Sequence, residues 1–271
     1  MQLKIKNYQD KVVLADSIDH LKNLESHIFD HCITDPPYNI SGYDNKKKIG
    51  WLKTNKTWEG EKKFFKIEEQ WDTFSDKDYF DFCYELVKEL TRVVKINGNI
   101  VLFGSYHNIY KLGFIVEMLG LKIVNSLIWY KRNAFPNVTQ RMFCESTEQM
   151  IWAVNNSQKK AKNWTFNYKE LKLMTDNGKQ MRNMWDIPMT PLGEKEFGKH
   201  PSQKPLQVMD RLVVGCTNVG DLILDPFCGS GSTAVSAKNN GRHFYVIDTN
   251  KEYLDLAKRR LANTKKQKSL L

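Results

Sequence analysis

The stretch DLILDPFCGSGSTAVSAKNNG, residues 221–241, decides the fold. DLILD is a short apolar run of the kind that forms a buried strand. It gives way to four small residues, Gly229, Ser230, Gly231 and Ser232, and then to a helix-forming run that Gly241 stops. A strand, a glycine turn and a helix in that order let backbone approach a ligand closely and aim free N–H groups at it. In open α/β sheets such a site lies beyond the carboxyl ends of the strands. One strand later HFYVIDTN (residues 243–250) ends at Asp248, where a carboxylate can accept both hydroxyls of a ribose. The nucleotide stays open at this point. The run lacks the Gly-Lys-Ser/Thr ending of a phosphate loop, and GSGSTA has Ala234 where a dinucleotide fingerprint has its third glycine, a position that tolerates Ala.

Working outward, strands and helices alternate. KVVLADS (11–17) reads as a short buried strand ending at Asp16, and HIFDHCIT (27–34) as a second strand, ending at Asp35. After Ser75 the apolar residues Tyr79, Phe82, Cys83, Leu86, Leu90, Val93 and Val94 recur at helical spacing, and Asn97-Gly98 stops the run. NIVLFG (99–104), KIVNSLIWY (122–130) and TEQMIWAV (147–154) are further strands, while 107–119, 204–216 and 250–261 are helical. Such alternation implies parallel βαβ units in an open, layered sheet.

The chain has 271 residues, 41% of them hydrophobic, which suits one large α/β domain with a sizeable core and excludes disorder. Net charge is +10, from 41 basic against 31 acidic side chains, and favours a polyanionic partner such as nucleic acid. The five cysteines are scattered, with no Cys-x-x-Cys or Cys/His cluster, so neither a disulfide framework nor a metal site is expected. The start lacks a signal-peptide core and no run approaches the roughly 18 apolar residues of a spanning helix, so a reducing cytoplasm is the expected location. Two segments break the alternation. Residues 39–72 are lysine-rich and carry Trp51, Trp58, Phe64, Phe65 and Trp71; residues 155–199 are polar and basic, with Trp164, Phe166, Tyr168 and Trp185. Cations mixed with aromatics suit a nucleic-acid surface, or else solvated insertions that pack a few rings on the core.

A second stretch, FDHCITDPPYNI (29–40), ends an apolar run at Asp35 and fixes the backbone twice, at Pro36 and Pro37, before presenting Tyr38. A plain turn is satisfied by Asn-Gly or Pro-Gly. Chance alone gives DPPY in on the order of one in a thousand chains this long. Together DPPY (35–38), HPSQKP (200–205) and DPFCGSGST (225–233) resemble the DNA amino-methyltransferases that use S-adenosylmethionine. DPPY precedes the glycine motif, which is the permuted order of that family's β group. The resemblance runs from about residue 12 to 261 and is weakest at 39–72 and 155–199.

The resemblance implies a Rossmann-like α/β fold, circularly permuted, with a mostly parallel seven-stranded sheet, helices on both faces and DNA-binding insertions. DLILD would be the family's first strand, HFYVID its second, KVVLAD its third and HIFDHCIT its fourth. Residues 1–154 would form the catalytic half, with 39–72 as a basic aromatic loop. Residues 155–198 would hold target recognition, and 199–271 would complete the cofactor-binding half.

By the same resemblance Asp35 and the Pro36 carbonyl accept the two hydrogens of a base's exocyclic amino group. Pro37 adds rigidity, and Tyr38 offers a face to a flipped base. Phe227, Gly229, Ser230 and Gly231 would wrap the cofactor's methionine part, with Ser232 and Thr233 completing the loop. Asp248 would take its ribose, and Asp16 would lie near its adenine, unless Asp16 merely caps the following helix. Asp225 would orient the loop or meet the cofactor's amino group; His200, Gln203 and Lys204 would lie at the methionine end. Lys131, Arg132, Asn133 and Arg141 are candidate DNA contacts, with ordinary surface charge as the alternative.

Asp35 at the head of the motif favours adenine N6 over cytosine N4. GSYHNIY, IWYKRNAFPN, STEQMIWA and DNGKQMRNMW resemble small adenine methyltransferases of GATC-recognising restriction–modification systems. The implied partners are DNA (double-stranded, with single strands open), a homodimer mate and a cognate endonuclease. The rivals are cytosine N4 methylation, methylation of RNA or of a protein glutamine, and an inactive nucleic-acid-binding relative. The glutamine enzymes use Asn-Pro-Pro-Tyr and place the glycine motif first; this chain does neither.

Overall fold

The computed structural model describes residues 6–39, 51–55, 63–67, 74–137, 140–156 and 162–264. Its strands are β1 (Lys11–Leu14), β2 (His31–Thr34), β3 (Trp51–Asn55), β4 (Lys63–Ile67), β5 (Asn99–Gly104), β6 (Lys122–Tyr130), β7 (Thr147–Val154), β8 (Met184–Asp186), β9 (Leu222–Asp225) and β10 (His243–Asp248). Its helices are α1 (Ser17–Lys22), α2 (Asp76–Val93), α3 (Ile109–Met118), α4 (Tyr168–Leu173), α5 (Leu206–Cys216), α6 (Ser232–Asn239) and α7 (Lys251–Ala262). Eight strands form one sheet in the order β1-β10-β9-β2-β5-β7-β6-β8, and β3 and β4 pair separately. Only β7 runs against the rest of the large sheet.

The strand order expected from the resemblance is present, and the short β8 adds an eighth strand beyond the seven. Period-two alternation sends each strand's residues to two cores. Ile33, Val101, Phe103, Ile223 and Val246 meet α5, α6 and α7 on one face. Cys32, Ile100, Leu102, Leu224 and Ile247 meet α1, α2 and α3 on the other. Helix α2 begins where Ser75 Oγ accepts from the Asp78 N–H at 3.1 Å, and it buries Tyr79, Cys83, Leu86, Val87, Leu90 and Val93.

Three expectations change. The strand read from residue 27 starts at His31: His27 has φ +56°, and Phe29 makes only a single bridge to Val94. The strand at 11–17 is not buried, because β1 is the sheet's edge with β10 as its one neighbour, and Leu14 is 56% exposed. The segment 155–199 is not structureless, since it contains α4, β8 and a 3₁₀ turn at Leu192–Lys195. Its Trp185 joins the core and Phe166 packs on Trp152 at 5.2 Å, so these rings cover the sheet. Within 39–72 only Asn39 and the backbones of β3 and β4 are described, and the nucleic-acid role expected of that segment lies outside the described residues.

At the amino-terminal edge of the sheet, the fully buried Asn99 ties the layers together. Its amide donates to the Cys216 carbonyl at 2.6 Å and the Thr165 carbonyl at 2.9 Å, and its oxygen accepts from Trp152 Nε1 at 2.8 Å. Asn99→Ala orphans two buried partners, on Cys216 and Trp152, and a half-buried one on Thr165, and should cost about 2–4 kcal/mol, read as a lower urea midpoint at unchanged m-value. A loss under about 0.5 kcal/mol would contradict this.

Candidate active site

The chain leaves β9 toward β10 on one side, while β2 lies on the other. The loops after β9 and β2 therefore diverge and open a cleft at the carboxyl edge of the sheet. The cleft takes its walls from the glycine loop, the DPPY segment, the residues around His200 and the start of α1.

The glycine loop is held from four sides. The Gly229 N–H donates to Asp248 Oδ2 at 2.8 Å, and the Cys228 N–H to the Ile247 carbonyl at 2.9 Å. The buried Arg260 of α7 donates to the Ser230 carbonyl at 2.7 Å and to the hydroxyls of Ser230 and Ser232. Ser232 Oγ donates to the Lys204 carbonyl at 2.9 Å. Asp225 accepts from Thr34 Oγ1 at 2.7 Å and from the Phe227 N–H at 3.1 Å, with Thr233 as a further donor. Burial pushes the Asp225 carboxyl up to about 6. Gly229 has φ +47°, and a Cβ there would sit 2.9 Å from the His200 ring; Gly231, at φ +76°, begins α6.

His200 stands edge-on to Tyr253 with ring centroids 4.2 Å apart. Burial, then the charges of Lys204 and Arg260, push its pKa down to about 3, so the ring is neutral. Gln203 donates to the Glu194 carbonyl at 2.8 Å, while its buried Oε1 has no partner among the described residues.

Opposite, the DPPY segment is braced from α2: Tyr79 Oη donates to the Pro37 carbonyl at 2.7 Å and accepts from Asn108 Nδ2 at 2.9 Å. Among the described residues no group donates to the Pro36 carbonyl. Asp35 carries two donors, Lys204 Nζ at 2.5 Å on Oδ2 and the Tyr38 hydroxyl on Oδ1. Glu148, at the start of β7, takes Lys204 Nζ at 3.1 Å, Lys131 Nζ at 3.4 Å and the Tyr38 hydroxyl at 3.3 Å. Burial raises the Asp35 pKa, with Glu148 adding to the rise and Lys204 opposing it. Burial works in the same sense on Glu148, but Lys204 and Lys131 outweigh it and hold that carboxyl below its ordinary value.

The expected cofactor residues thus converge on one cleft, except that Gly231 does not line it and packs against Ala257 of α7. Asp16 lines the cleft and also caps α1, accepting from the Asp19 N–H at 3.0 Å. Tyr38, expected to show its ring, is buried and turns its hydroxyl to Asp35. Lys131, expected to meet DNA, is buried on Glu148 and has no free face for a phosphate. Arg132 is exposed and pairs with Asp186 at 2.8 Å, Asn133 Oδ1 accepts from the Met189 N–H, and Arg141 is exposed. Sequence reading missed Glu148, Arg260, Tyr79 and the cleft rings Phe74 and Phe82. Arg260 carried a signal, since it falls on the apolar stripe of α7 with Ala257 and Leu261.

A mostly parallel sheet of this order with DPPY and glycine loops at one cleft defines an S-adenosylmethionine methyltransferase. The chain belongs to the N6/N4 DNA methylase family, whose model matches residues 29–259. It is 38% identical over 265 residues to the type II methyltransferase M2.LlaDCHI of Lactococcus lactis subsp. cremoris, covering 96% of this chain and 93% of that one. It is 37% identical to the type II methyltransferase M2.DpnII of Streptococcus pneumoniae over the same shares. The structure of the M1.HpyAVI–SAM complex matches with a TM-score of 0.63 at 28% identity, covering 93% of this chain and 98% of that one.

The protein is a DNA methyltransferase whose cofactor is S-adenosylmethionine. The residues present fit that cofactor. Phe74, Phe82 and Phe227 form an aromatic wall, with ring centroids 5.1 Å and 5.9 Å apart in succession. The orphan oxygen of Gln203 is an acceptor suited to an ammonium group. Among the described residues no helix is long and apolar enough to cross a membrane.

Two outcomes follow from the loop. Gly229→Ala forces the loop off His200 and should weaken S-adenosylmethionine binding about tenfold or more with the fold retained, measured by titration calorimetry; an unchanged Kd would contradict it. His200 also links stability to pH. The unfolded chain takes up a proton near pH 6.5, which the folded chain refuses down to about 3, so stability falls as pH drops through that window. Between pH 6.5 and 5 the wild type should lose about 2 kcal/mol more than His200→Gln in urea unfolding; parallel curves would refute the assignment.

Proposed function

We propose that the enzyme methylates the exocyclic N6 of adenine at a specific DNA site, acting on a base swung out of the stack. One observation carries this reading: the Asp35 carboxylate stands beside the Pro36 carbonyl, to which no described residue donates. The adenine amino group is a poor nucleophile because its lone pair is delocalised into the ring. Asp35 and the Pro36 carbonyl accept its two hydrogens and draw the lone pair out of conjugation. Pro36 and Pro37 fix φ near −65°, so these acceptors are preorganised.

S-adenosylmethionine, when bound, supplies an electrophilic methyl group on a positively charged sulfur. Positive charge would grow on N6 as the new C–N bond forms and the methyl–sulfur bond breaks, leaving a neutral thioether. Asp35 stabilises that charge and takes the released proton, a task helped by its raised pKa. Stacking of the base on Tyr38 requires the ring to turn out from its buried position. The glycine loop and Phe227 hold the cofactor's methionine part, Asp248 its ribose, Asp16 its adenine end and Gln203 its ammonium. Arg132, Asn133 and Arg141 face the DNA.

Target recognition would fall within 155–198, a segment anchored where the Thr165 carbonyl accepts from Asn99 at the start of β5 and Asn167 donates to the carbonyls of Val214 and Thr217 at the end of α5. By the resemblance in sequence the enzyme would protect a short site, GATC, against a cognate nuclease, and would work as a homodimer. Cytosine N4 is the alternative target, because the family includes both.

The test is nucleoside mass spectrometry of unmethylated bacterial DNA incubated with enzyme and methyl-deuterated cofactor. Labelled N6-methyladenine is expected; labelled N4-methylcytosine would overturn the base assignment. Asp35→Ala should lower kcat by about 10³-fold while S-adenosylmethionine Kd changes less than about twofold. Full transfer activity in that variant would end the mechanism.

A further inference from the structure

Glu148 belongs to none of the three motifs, yet it touches every partner of Asp35. We infer that Glu148 is a positioning residue for methyl transfer: it offers Lys204 and the Tyr38 hydroxyl a second carboxylate, so that Asp35 can release both when the amino group arrives. The inference rests on Asp35 being the amino acceptor, as proposed above.

Both oxygens of Asp35 are engaged within the protein, Oδ2 by Lys204 Nζ at 2.5 Å and Oδ1 by the Tyr38 hydroxyl. An ammonium held that close weakens the carboxylate as an acceptor and stands where a substrate hydrogen must go. Moving it into an apolar surrounding would be costly, because Lys204 is buried and its charge needs a partner. Glu148 removes that obstacle. Its Oε2 already lies 3.1 Å from the same ammonium and 3.3 Å from the same hydroxyl, so both donors can shift from one acid to the other without losing a partner. A lysine ammonium has three hydrogens, which makes sharing between two carboxylates possible at the start.

Chain direction explains how a residue so distant in sequence reaches the site. β7 runs against the other strands, so its first residues lie at the sheet edge where the parallel strands end, and Glu148 sits opposite Trp129 on β6. Lys131, two residues past Trp129, then pairs with Glu148 at 3.4 Å and completes an array of two acids and two ammoniums. The charged and titratable groups around it come from every neighbouring element: Asp35 and Tyr38 after β2, Lys131 after β6, Lys204 before α5, Asp225 at the end of β9 and the neutral His200. Glu148 raises the Asp35 pKa and Lys204 lowers it.

The experiment is single-turnover methyl transfer against pH, at saturating S-adenosylmethionine, for wild type, Glu148→Gln, Lys204→Met and Asp35→Ala. In Glu148→Gln, Lys204 stays on Asp35. The transfer rate should fall at least about tenfold, and the acid limb of the profile should move to lower pH, with cofactor Kd within about twofold. In Lys204→Met the acid limb should move the opposite way, to higher pH. A merely structural role for Glu148 would slow transfer without moving the limb, and that result overturns the inference, as does a wild-type profile. Should Glu148→Gln not fold, the Lys204→Met arm decides, and an unmoved or lowered limb there is contrary. Activity in Asp35→Ala would instead overturn the reading of Asp35 itself, which separates the two failures.

Discussion

The Thr34 hydroxyl and the Asp225 carboxylate come from strands 191 positions apart in sequence, and their 2.7 Å hydrogen bond joins the ends of β2 and β9. The rest of the site hangs on that junction. Asp225 also accepts from the Phe227 N–H and from Thr233, so one buried carboxyl fixes where the glycine loop leaves β9 and where the DPPY segment leaves β2. Both loops then diverge from a common point, which is what opens a cleft rather than a packed edge.

From that point the cleft divides chemically. On the glycine-loop side the protein uses backbone groups, the Asp248 carboxylate, neutral His200 and aromatic rings, while the Arg260 guanidinium is buried against Ser230 and Ser232. On the DPPY side it concentrates charge: two acids and two lysines, buried together and mutually paired. Such an array adds little to stability, because desolvation offsets the attraction. Under the mechanism proposed above, its value lies in giving the donors on Asp35 a second acid to move to in a water-poor setting, where an acceptor acts more strongly than it would in water.

Much of this was legible in the sequence, and for identifiable reasons. The run from β9 through α6 to β10 carries turn chemistry that only certain backbones satisfy, as the positive φ values of Gly229 and Gly231 show. The DPPY and HPSQKP stretches combine residue types that a bare turn does not need. Burial of whole strands was less legible, because apolar periodicity does not say which strand ends up at the edge; β1 has the composition of an interior strand and the position of a terminal one. Charged partners were the least legible. Asp35, Glu148 and Lys204 are brought together only by the reversal of β7 and the crossover to α5, and neither leaves a local signature. Lys131 and Arg132 are adjacent bases in the sequence, yet in the turn that follows β6 the first is buried on Glu148 and the second is exposed and pairs with Asp186.

The central claim is that Asp35 receives the amino group of a flipped adenine. A crystal structure of the enzyme with substrate DNA and the demethylated cofactor would test it most directly. The expected complex holds an extrahelical adenine with N6 about 3 Å from both an Asp35 oxygen and the Pro36 carbonyl oxygen. In it Lys204 is withdrawn toward Glu148. An extrahelical base whose amino group meets other acceptors, with Lys204 still closed on Asp35, would contradict the claim.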